Sequence, residues 1–320
     1  MATFAFLPPL DDEQRDWAKR LAVDCPNLEV RVIEQEIELP QALGNIEAAY
    51  GWVPPTALPF ARNLKWLQNP MAGPPPSYYY PELVQHQVVV TNPRGIYSDH
   101  IAHHILMYML ALSRGLPYYM DAQRRGRWDK RARQRGYVDI SESKVLINGV
   151  GGIGAETGRL CVAMGADVIG IDSRNEFGAE FDIHPPDSLD TWLPQADFIV
   201  TTVPHTPDTE FMWDRARFQA MKSTAYFINI GRGMTVKLDD LVVALEEEEL
   251  AGAGLDVFEV EPLPVGHALW QCENVIITPH VAVANALNIS ERRYELLLDN
   301  ARRFVANEPL RNVVDKALRY

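Results

Sequence analysis

One short segment constrains this chain more than any other: Gly149-Val150-Gly151-Gly152-Ile153-Gly154, which follows the apolar run Val145 to Ile147 and opens the helical stretch Ala155 to Met164. A strand that turns directly into a helix through this spacing of glycines has few solutions. Gly149 permits the tight turn, Gly151 lets backbone approach a bound group, and Gly154 lets the helix pack on the strand. The helix start, with the amides of Gly152 and Ile153, is then aimed at an anion such as a pyrophosphate. A lone match of this kind carries little weight, but here a second strand, Val168 to Ile171, ends in Asp172, 18 residues after Gly154. A carboxylate at that point can accept hydrogen bonds from a ribose diol.

These features predict a dinucleotide site. Asp172 favours NAD, because a carboxylate there repels the 2′-phosphate of NADP, while Arg174 two residues on keeps NADP possible by offering that phosphate a guanidinium.

The segment sits inside a repeating pattern. Strand-like runs at Lys144 to Asn148, Asp167 to Ile171, Phe198 to Val203, Ala225 to Ile230, Gly252 to Val257 and Val275 to Thr278 are mostly separated by helical stretches. An earlier series has the same character: Phe4 to Leu7, a helix over Asp11 to Ala22, then Leu28 to Ile33, Ile46 to Ala49, Leu64 to Leu67 and Val88 to Thr91. Alternation of this type predicts an α/β fold with parallel, doubly wound sheets, whose ligands gather at the carboxyl ends of the strands. With 320 residues and 47% hydrophobic content there is material for two cores, so two domains are expected. Pro54, Pro55, Pro59 and the run Gly73-Pro74-Pro75-Pro76 cannot lie in central strands and mark loops. The run Tyr78 to Tyr80 is expected to anchor a loop on the core.

Several function classes drop out. A formal charge of -13 and a pI near 5.1 disfavour nucleic acid and anionic membrane as partners. The densest basic stretch, Arg124 to Arg135, is interrupted by Gly126, Trp128 and Asp129 and is expected to be a solvated connector. Cys25, Cys161 and Cys272 are an odd number without a CxxC pair, which predicts neither disulfides nor a thiolate metal site and fits a reducing cytoplasm. No secretory leader is expected at the N-terminus, where Pro8 and Pro9 break a short apolar run. The apolar stretch Ile101 to Leu112 is too short to span a bilayer and is expected to be a buried or interface helix. His100 and His104 share a face of it, but no HExxH motif accompanies them and no metal site is expected.

Three later segments each end a predicted strand with ionisable residues: Asn229-Ile230-Gly231-Arg232-Gly233, Leu255 to Pro262, and Thr278-Pro279-His280. Together they place a guanidinium, carboxylates and an imidazole along one rim of a sheet. That set suits an anionic carbonyl substrate. Arg232 can hold a carboxylate with two parallel hydrogen bonds and polarise the adjacent ketone. His280 can donate a proton, and a buried carboxylate such as Glu261 would stabilise its imidazolium. Without the glycine turn, surface carboxylates beside Pro262 and Pro264 and a satisfied core histidine would explain these residues equally well.

At these residues the sequence resembles the D-isomer-specific 2-hydroxyacid dehydrogenase family over nearly its whole length. The shared motifs are the glycine turn, Val203-Pro204-His205-Thr206-Pro207-Asp208-Thr209, Phe227 to Gly233, Ala253 to Phe258 with Glu261-Pro262, and Thr278-Pro279-His280. The resemblance implies a flavodoxin-like substrate domain, 1–97 plus 287–320, and an inserted Rossmann cofactor domain, 98–286, with hinges near Tyr97 and Ala286. It implies Arg232 as substrate anchor, His280 as acid/base, Glu261 as its partner, and Asp256 as the holder of the nicotinamide carboxamide. Val203, Pro204 and Ile230 join the implied cofactor contacts. Ala72 and Gly73, within Met71-Ala72-Gly73, would meet the substrate carboxylate, and the helix carrying His100 and His104 would lie at a homodimer interface.

The implied activity is reduction of a small 2-keto acid to a D-2-hydroxy acid, in the glyoxylate and hydroxypyruvate reductase-like branch suggested by the ending Asn312-Val313-Val314-Asp315-Lys316 and Tyr320. Pro74 to Pro76 and Val283-Ala284-Asn285 depart from the family pattern at the borders of the substrate pocket. Two alternatives stay open: a formate-type relative, which would carry Gln in place of Glu261, and a non-catalytic dinucleotide-sensing scaffold.

Overall fold

The computed structural model describes residues 1–130, 138–175, 177–284 and 286–318. Arg131, Arg133 and Arg135 of the basic stretch, Asn285 and the terminal Tyr320 lie outside the described residues. The chain divides into two compact units, Met1–Ile96 with Leu287–Tyr320, and Tyr97–Ala286.

The first unit is built on β1 (Ala2–Phe6), β2 (Leu28–Val32), β3 (Ala48–Tyr50), β4 (Trp66–Gln68) and β5 (Val89–Thr91). All pair in parallel, in the order β2-β1-β3-β4-β5, which is the flavodoxin-type winding. Helix Asp12–Asp24 starts where the Asp11 side chain accepts the amide of Gln14 at 2.9 Å. Its residues Trp17, Ala18 and Leu21 lie at helical spacing and are buried, in one cluster with Phe4, Phe6 and Trp66. Tyr294, Leu297 and Ala301 of helix Ile289–Ala306 join that cluster, so the last helix covers the sheet of the first unit. The tyrosine run is core: Tyr78 donates to the Gly51 carbonyl at 2.9 Å and Tyr80 to that of Val53 at 2.7 Å.

The second unit carries β6 (Lys144–Asn148), β7 (Asp167–Ile171), β8 (Asp182–His184), β9 (Phe198–Thr201), β10 (Tyr226–Asn229), β11 (Gly252–Leu255) and β12 (Val275–Ile277). They form one parallel sheet in the order β12-β11-β10-β9-β6-β7-β8. The winding reverses between β6 and β9, and in such sheets ligands bind outside the carboxyl ends of the strands at this reversal. Helices cover both faces, which is why β9 and β10 are buried at every position rather than at alternate ones. One face packs Ile105, Met109 and Leu112 of helix Ser98–Ser113 with Cys161 of helix Gly152–Ala163. The other packs Phe218 with Leu238, Leu241 and Leu245. Each such side chain contributes about 1.5–3 kcal/mol when fully buried.

Strand β8 was not expected from the sequence. It is a three-residue edge strand bearing Asp182 and His184, with no apolar run to announce it, and it exists because β7 offers it a parallel partner. No helix among the described residues is long and apolar enough to cross a membrane.

Candidate active site

The glycine turn follows β6. Gly149 has φ +96°, and its amide donates to the Ile171 carbonyl at 2.9 Å, locking the turn to β7. A side chain at Gly154 would stand 2.0 Å from the Gly149 carbonyl oxygen, so only glycine lets the helix approach. At Gly151, by contrast, a Cβ would meet nothing within 4 Å, which leaves open space beside the turn. Helix Gly152–Ala163 starts here, and the first-turn amides of Gly152, Ile153 and Gly154 have no partner within the helix. This geometry fits a dinucleotide pyrophosphate. Asp172 stands just past β7, where it accepts the Val150 amide at 2.7 Å on one oxygen and the Arg174 amide at 3.1 Å on the other. It lines a cavity of about 470 Å³ with Ser173, Arg174, Phe181 and His184.

Beyond β9 and β10 the backbone is packed with little slack. A Cβ on Gly231 would come within 2.6 Å of the Val203 carbonyl oxygen, and one on Gly233 within 1.8 Å of that of Phe258. Arg232 is held between these two glycines. Asn229 braces the turn, accepting the Gly231 amide at 3.0 Å and donating to the Arg232 carbonyl at 3.2 Å. Thr235 donates to the same carbonyl at 2.7 Å. The half-buried guanidinium donates through Nη1 to the Gly231 carbonyl at 2.7 Å. Burial lowers its proton affinity, and the charge of Glu261 opposes that effect. Ile230 is buried at the end of the same strand, and the Pro204 carbonyl accepts the Thr209 hydroxyl at 2.6 Å.

After β11 and β12 come Glu261 and His280. The His280 Nδ1 lies 2.8 Å from Glu261 Oε2, and the other carboxylate oxygen accepts the Phe258 amide at 3.0 Å. Because an ionised carboxylate only accepts, Nδ1 carries the proton and Nε2 is the nitrogen left to serve a substrate. His280 has φ +54°, a left-handed conformation that turns its side chain away from the strand path. One expectation is corrected: Glu261 is not buried. The side chains of His280 and Glu261 are 53% and 37% exposed, because the segment from Glu259 to Glu261 runs over the surface before Pro262.

The structure brings Arg232, Glu261 and His280 to the same end of one sheet. Asp256 is there too, but only 1% exposed, with its carboxylate accepting the Thr278 hydroxyl at 2.5 Å and the amides of Val281 and Ala282 at 2.9 and 3.1 Å. Sequence reasoning missed Tyr108 and His104, which reach Thr278 from helix Ser98–Ser113. Their i, i+4 spacing was readable as one face, but no local signal links it to a residue about 170 positions on. Among the described residues no group of three or more His, Cys, Asp or Glu is arranged to hold a metal ion.

In the first unit, the turn Met71-Ala72-Gly73 is pinned on both sides. Asn69, fully buried, accepts the Met71 amide at 2.9 Å, and Asn92 donates to the Ala72 carbonyl at 2.9 Å.

A seven-stranded parallel sheet, a glycine turn at its reversal point and a carboxylate after the next strand define a nicotinamide-dinucleotide-binding protein of the Rossmann type. Residues 106–282 match the sequence model of the D-isomer specific 2-hydroxyacid dehydrogenase NAD binding domain. Glycerate dehydrogenase of Methylorubrum extorquens is 35% identical over 240 residues, 71% of this chain and 72% of that protein. Glyoxylate reductase of Thermofilum pendens is 32% identical over 224 residues, 69% of this chain and 66% of that protein's length. Among solved structures, a D-isomer specific 2-hydroxyacid dehydrogenase from Xanthobacter autotrophicus in complex with NADPH and MES superposes with TM-score 0.83 at 30% identity, covering 100% of this chain and 99% of that one. An NADPH-dependent glyoxylate/hydroxypyruvate reductase from Sinorhizobium meliloti gives TM-score 0.80 at 26% identity, covering 100% of both chains. The chain belongs to the D-isomer-specific 2-hydroxyacid dehydrogenase family, and its cofactor is NAD(P).

Proposed function

We propose that this protein reduces small 2-keto acids of the glyoxylate and hydroxypyruvate class to D-2-hydroxy acids. The observation that carries this reading is the 2.8 Å His280–Glu261 pair standing with Arg232 at the carboxyl end of a dinucleotide-binding sheet. When bound, the reduced nicotinamide supplies the hydride. Arg232, fixed by its braced turn, pairs with the substrate carboxylate and draws charge toward the ketone oxygen. His280 Nε2 delivers the proton to that oxygen, leaving a neutral ring whose Nδ1–H stays on Glu261. Ala72 and Gly73 are carried as further carboxylate contacts on the family resemblance, and Val203, Pro204, Ile230 and Asp256 as cofactor contacts. Glu261 itself weighs against the formate-type reading, and an acid/base pair with a substrate arginine weighs against a purely sensing role.

NAD is the proposed preferred cofactor. Asp172 is held by two backbone amides at the edge of its cavity, where a 2′-phosphate would meet negative charge. A homodimer is proposed through helices Ser98–Ser113 and Leu116–Arg124, whose Met107, Leu110, Leu116 and Met120 are each more than 40% exposed. Three free cysteines agree with a cytoplasmic location.

The deciding assay is steady-state reduction of glyoxylate, hydroxypyruvate, pyruvate, phenylpyruvate and branched 2-keto acids with NADH and with NADPH. Turnover of at least one short keto acid is expected, and none with any pair overturns the proposal. Sedimentation equilibrium checks the dimer, which a monomer at micromolar concentration excludes.

A further inference from the structure

Behind the proton donor lies a buried polar chain of which the chemistry above uses only Asp256, as a cofactor contact. Asp256 follows β11 and sits at its centre. Its backbone carbonyl accepts the His280 amide at 2.8 Å, while its carboxylate takes the amides of the next two residues, Val281 and Ala282. The residue on which proton delivery depends is thus clamped to Asp256 from its own amide onward. The clamp holds a left-handed backbone at His280, a conformation that costs a non-glycine residue energy and needs surrounding contacts to persist.

Asp256 is in turn held from the far side. Thr278 donates its hydroxyl to Asp256 Oδ1 at 2.5 Å. The Tyr108 hydroxyl meets the Thr278 oxygen, and His104 Nε2 lies 3.1 Å from both hydroxyl oxygens and 3.9 Å from Asp256 Oδ1. Tyr108 is fully buried, and its ring lies against Gly254 of β11, where a Cβ would come within 2.6 Å of it. Glycine at that position is what admits the phenol.

The direction of these bonds follows from the acceptor at the end. A carboxylate only accepts, so the Thr278 proton points at Asp256. Thr278 must then accept from Tyr108, which commits the phenol proton, so His104 Nε2–H is the donor that faces both hydroxyl oxygens, each 3.1 Å away. Burial and the nearby Asp256 charge both hold the Tyr108 phenol protonated, against the opposing effect of Thr278. Burial lowers the proton affinity of His104, with Asp256 opposing it.

We propose that Tyr108 and Thr278 are positioning residues for His280: a one-way hydrogen-bond chain from His104 through Tyr108 and Thr278 fixes the Asp256 carboxylate, and Asp256 fixes the backbone that aims the imidazole. This rests on the keto-acid reduction proposed above. The test uses the full-length protein with Thr278→Val, which keeps shape and loses the hydroxyl, Thr278→Ser, which keeps the hydroxyl, and Tyr108→Phe.

Thr278→Val and Tyr108→Phe are expected to lower reductive kcat roughly tenfold with keto-acid KM changed less than about twofold, since a misaimed donor slows proton delivery rather than binding. The solvent deuterium isotope effect on kcat rises in both, and Thr278→Ser recovers most of the rate. Independently of turnover, hydrogen exchange at the amides of Val281 and Ala282 accelerates in Thr278→Val and not in Thr278→Ser. In the parent protein, nitrogen-15 resonances show His104 protonated at Nε2. A Thr278→Val enzyme with parental kcat and exchange, or a Thr278→Ser enzyme as impaired as the valine variant, overturns the proposal, as does a His104 protonated only at Nδ1. A parent protein that reduces no keto acid but passes the exchange and tautomer measurements refutes the functional reading and leaves the chain standing.

Discussion

Replacing Glu261 by Gln is the sharpest probe of the acid/base pair, because the structure separates its two consequences. The first is charge. At a separation of about 4 Å, loss of a full carboxylate–imidazolium attraction corresponds to about 1 kcal/mol in bulk water and about 4 kcal/mol near a protein surface. The 53% and 37% exposure of the two side chains puts the pair at the low end of that range. The second is geometry. Both oxygens of Glu261 accept, one from His280 Nδ1 and one from the Phe258 amide. An amide side chain has one acceptor and one donor, so in either orientation an N–H faces another N–H and one hydrogen bond is lost, about 1 kcal/mol more.

Together these give about 2 kcal/mol, or roughly a thirtyfold fall in reductive kcat/KM. Without the carboxylate the imidazolium that must form for proton delivery loses its charge partner, so the loss should fall on reduction. Oxidation of the hydroxy acid, which needs the neutral ring, should suffer less. The assay is kcat/KM at one fixed pH in both directions for parent and variant. A Gln variant within about threefold of the parent in reduction would refute the pairing as a source of catalysis.

Arg232→Lys keeps charge but loses the planar fork, and reductive kcat/KM should fall on the order of a hundredfold or more; near-parental kinetics would remove Arg232 from the site. Asp172→Ala should narrow the preference for NADH over NADPH by roughly tenfold, the scale of one carboxylate acting on a doubly charged phosphate about 5 Å away in water. Fluorescence titration of both reduced cofactors measures this, and tighter NADPH binding to the parent protein would refute the NAD preference itself. Gly233→Ala places a carbon 1.8 Å from the Phe258 carbonyl oxygen, so the arginine turn or the strand end must move. Activity should be lost with a clear drop in Tm, and an unchanged Tm would show that the turn has slack the packing does not suggest.

Much of this molecule is written locally. Parallel strands covered on both faces must be apolar throughout, so runs such as Val145 to Ile147 and Phe198 to Val200 announce themselves, and glycine is forced at Gly149 and Gly154 by a turn and a helix contact only a few residues apart. From that information alone follow the two wound sheets, the dinucleotide turn, and the placing of Arg232, Glu261 and His280 at strand ends on one rim. Edge strand β8 was illegible because pairing with β7, not side-chain pattern, makes it a strand.

Tertiary structure alone decided how each ionisable group is surrounded. Glu261 and Asp256 sit five residues apart in similar sequence, yet one is exposed on a surface segment and the other is sealed beneath the His280 backbone. Likewise nothing near Tyr108 in the sequence points to Thr278, since they meet only because the helix carrying Tyr108 lies across Gly254. Periodicity records which face of an element is buried, whereas a partner more than a hundred residues away is chosen by the order in which strands assemble, and that order is a property of the whole sheet.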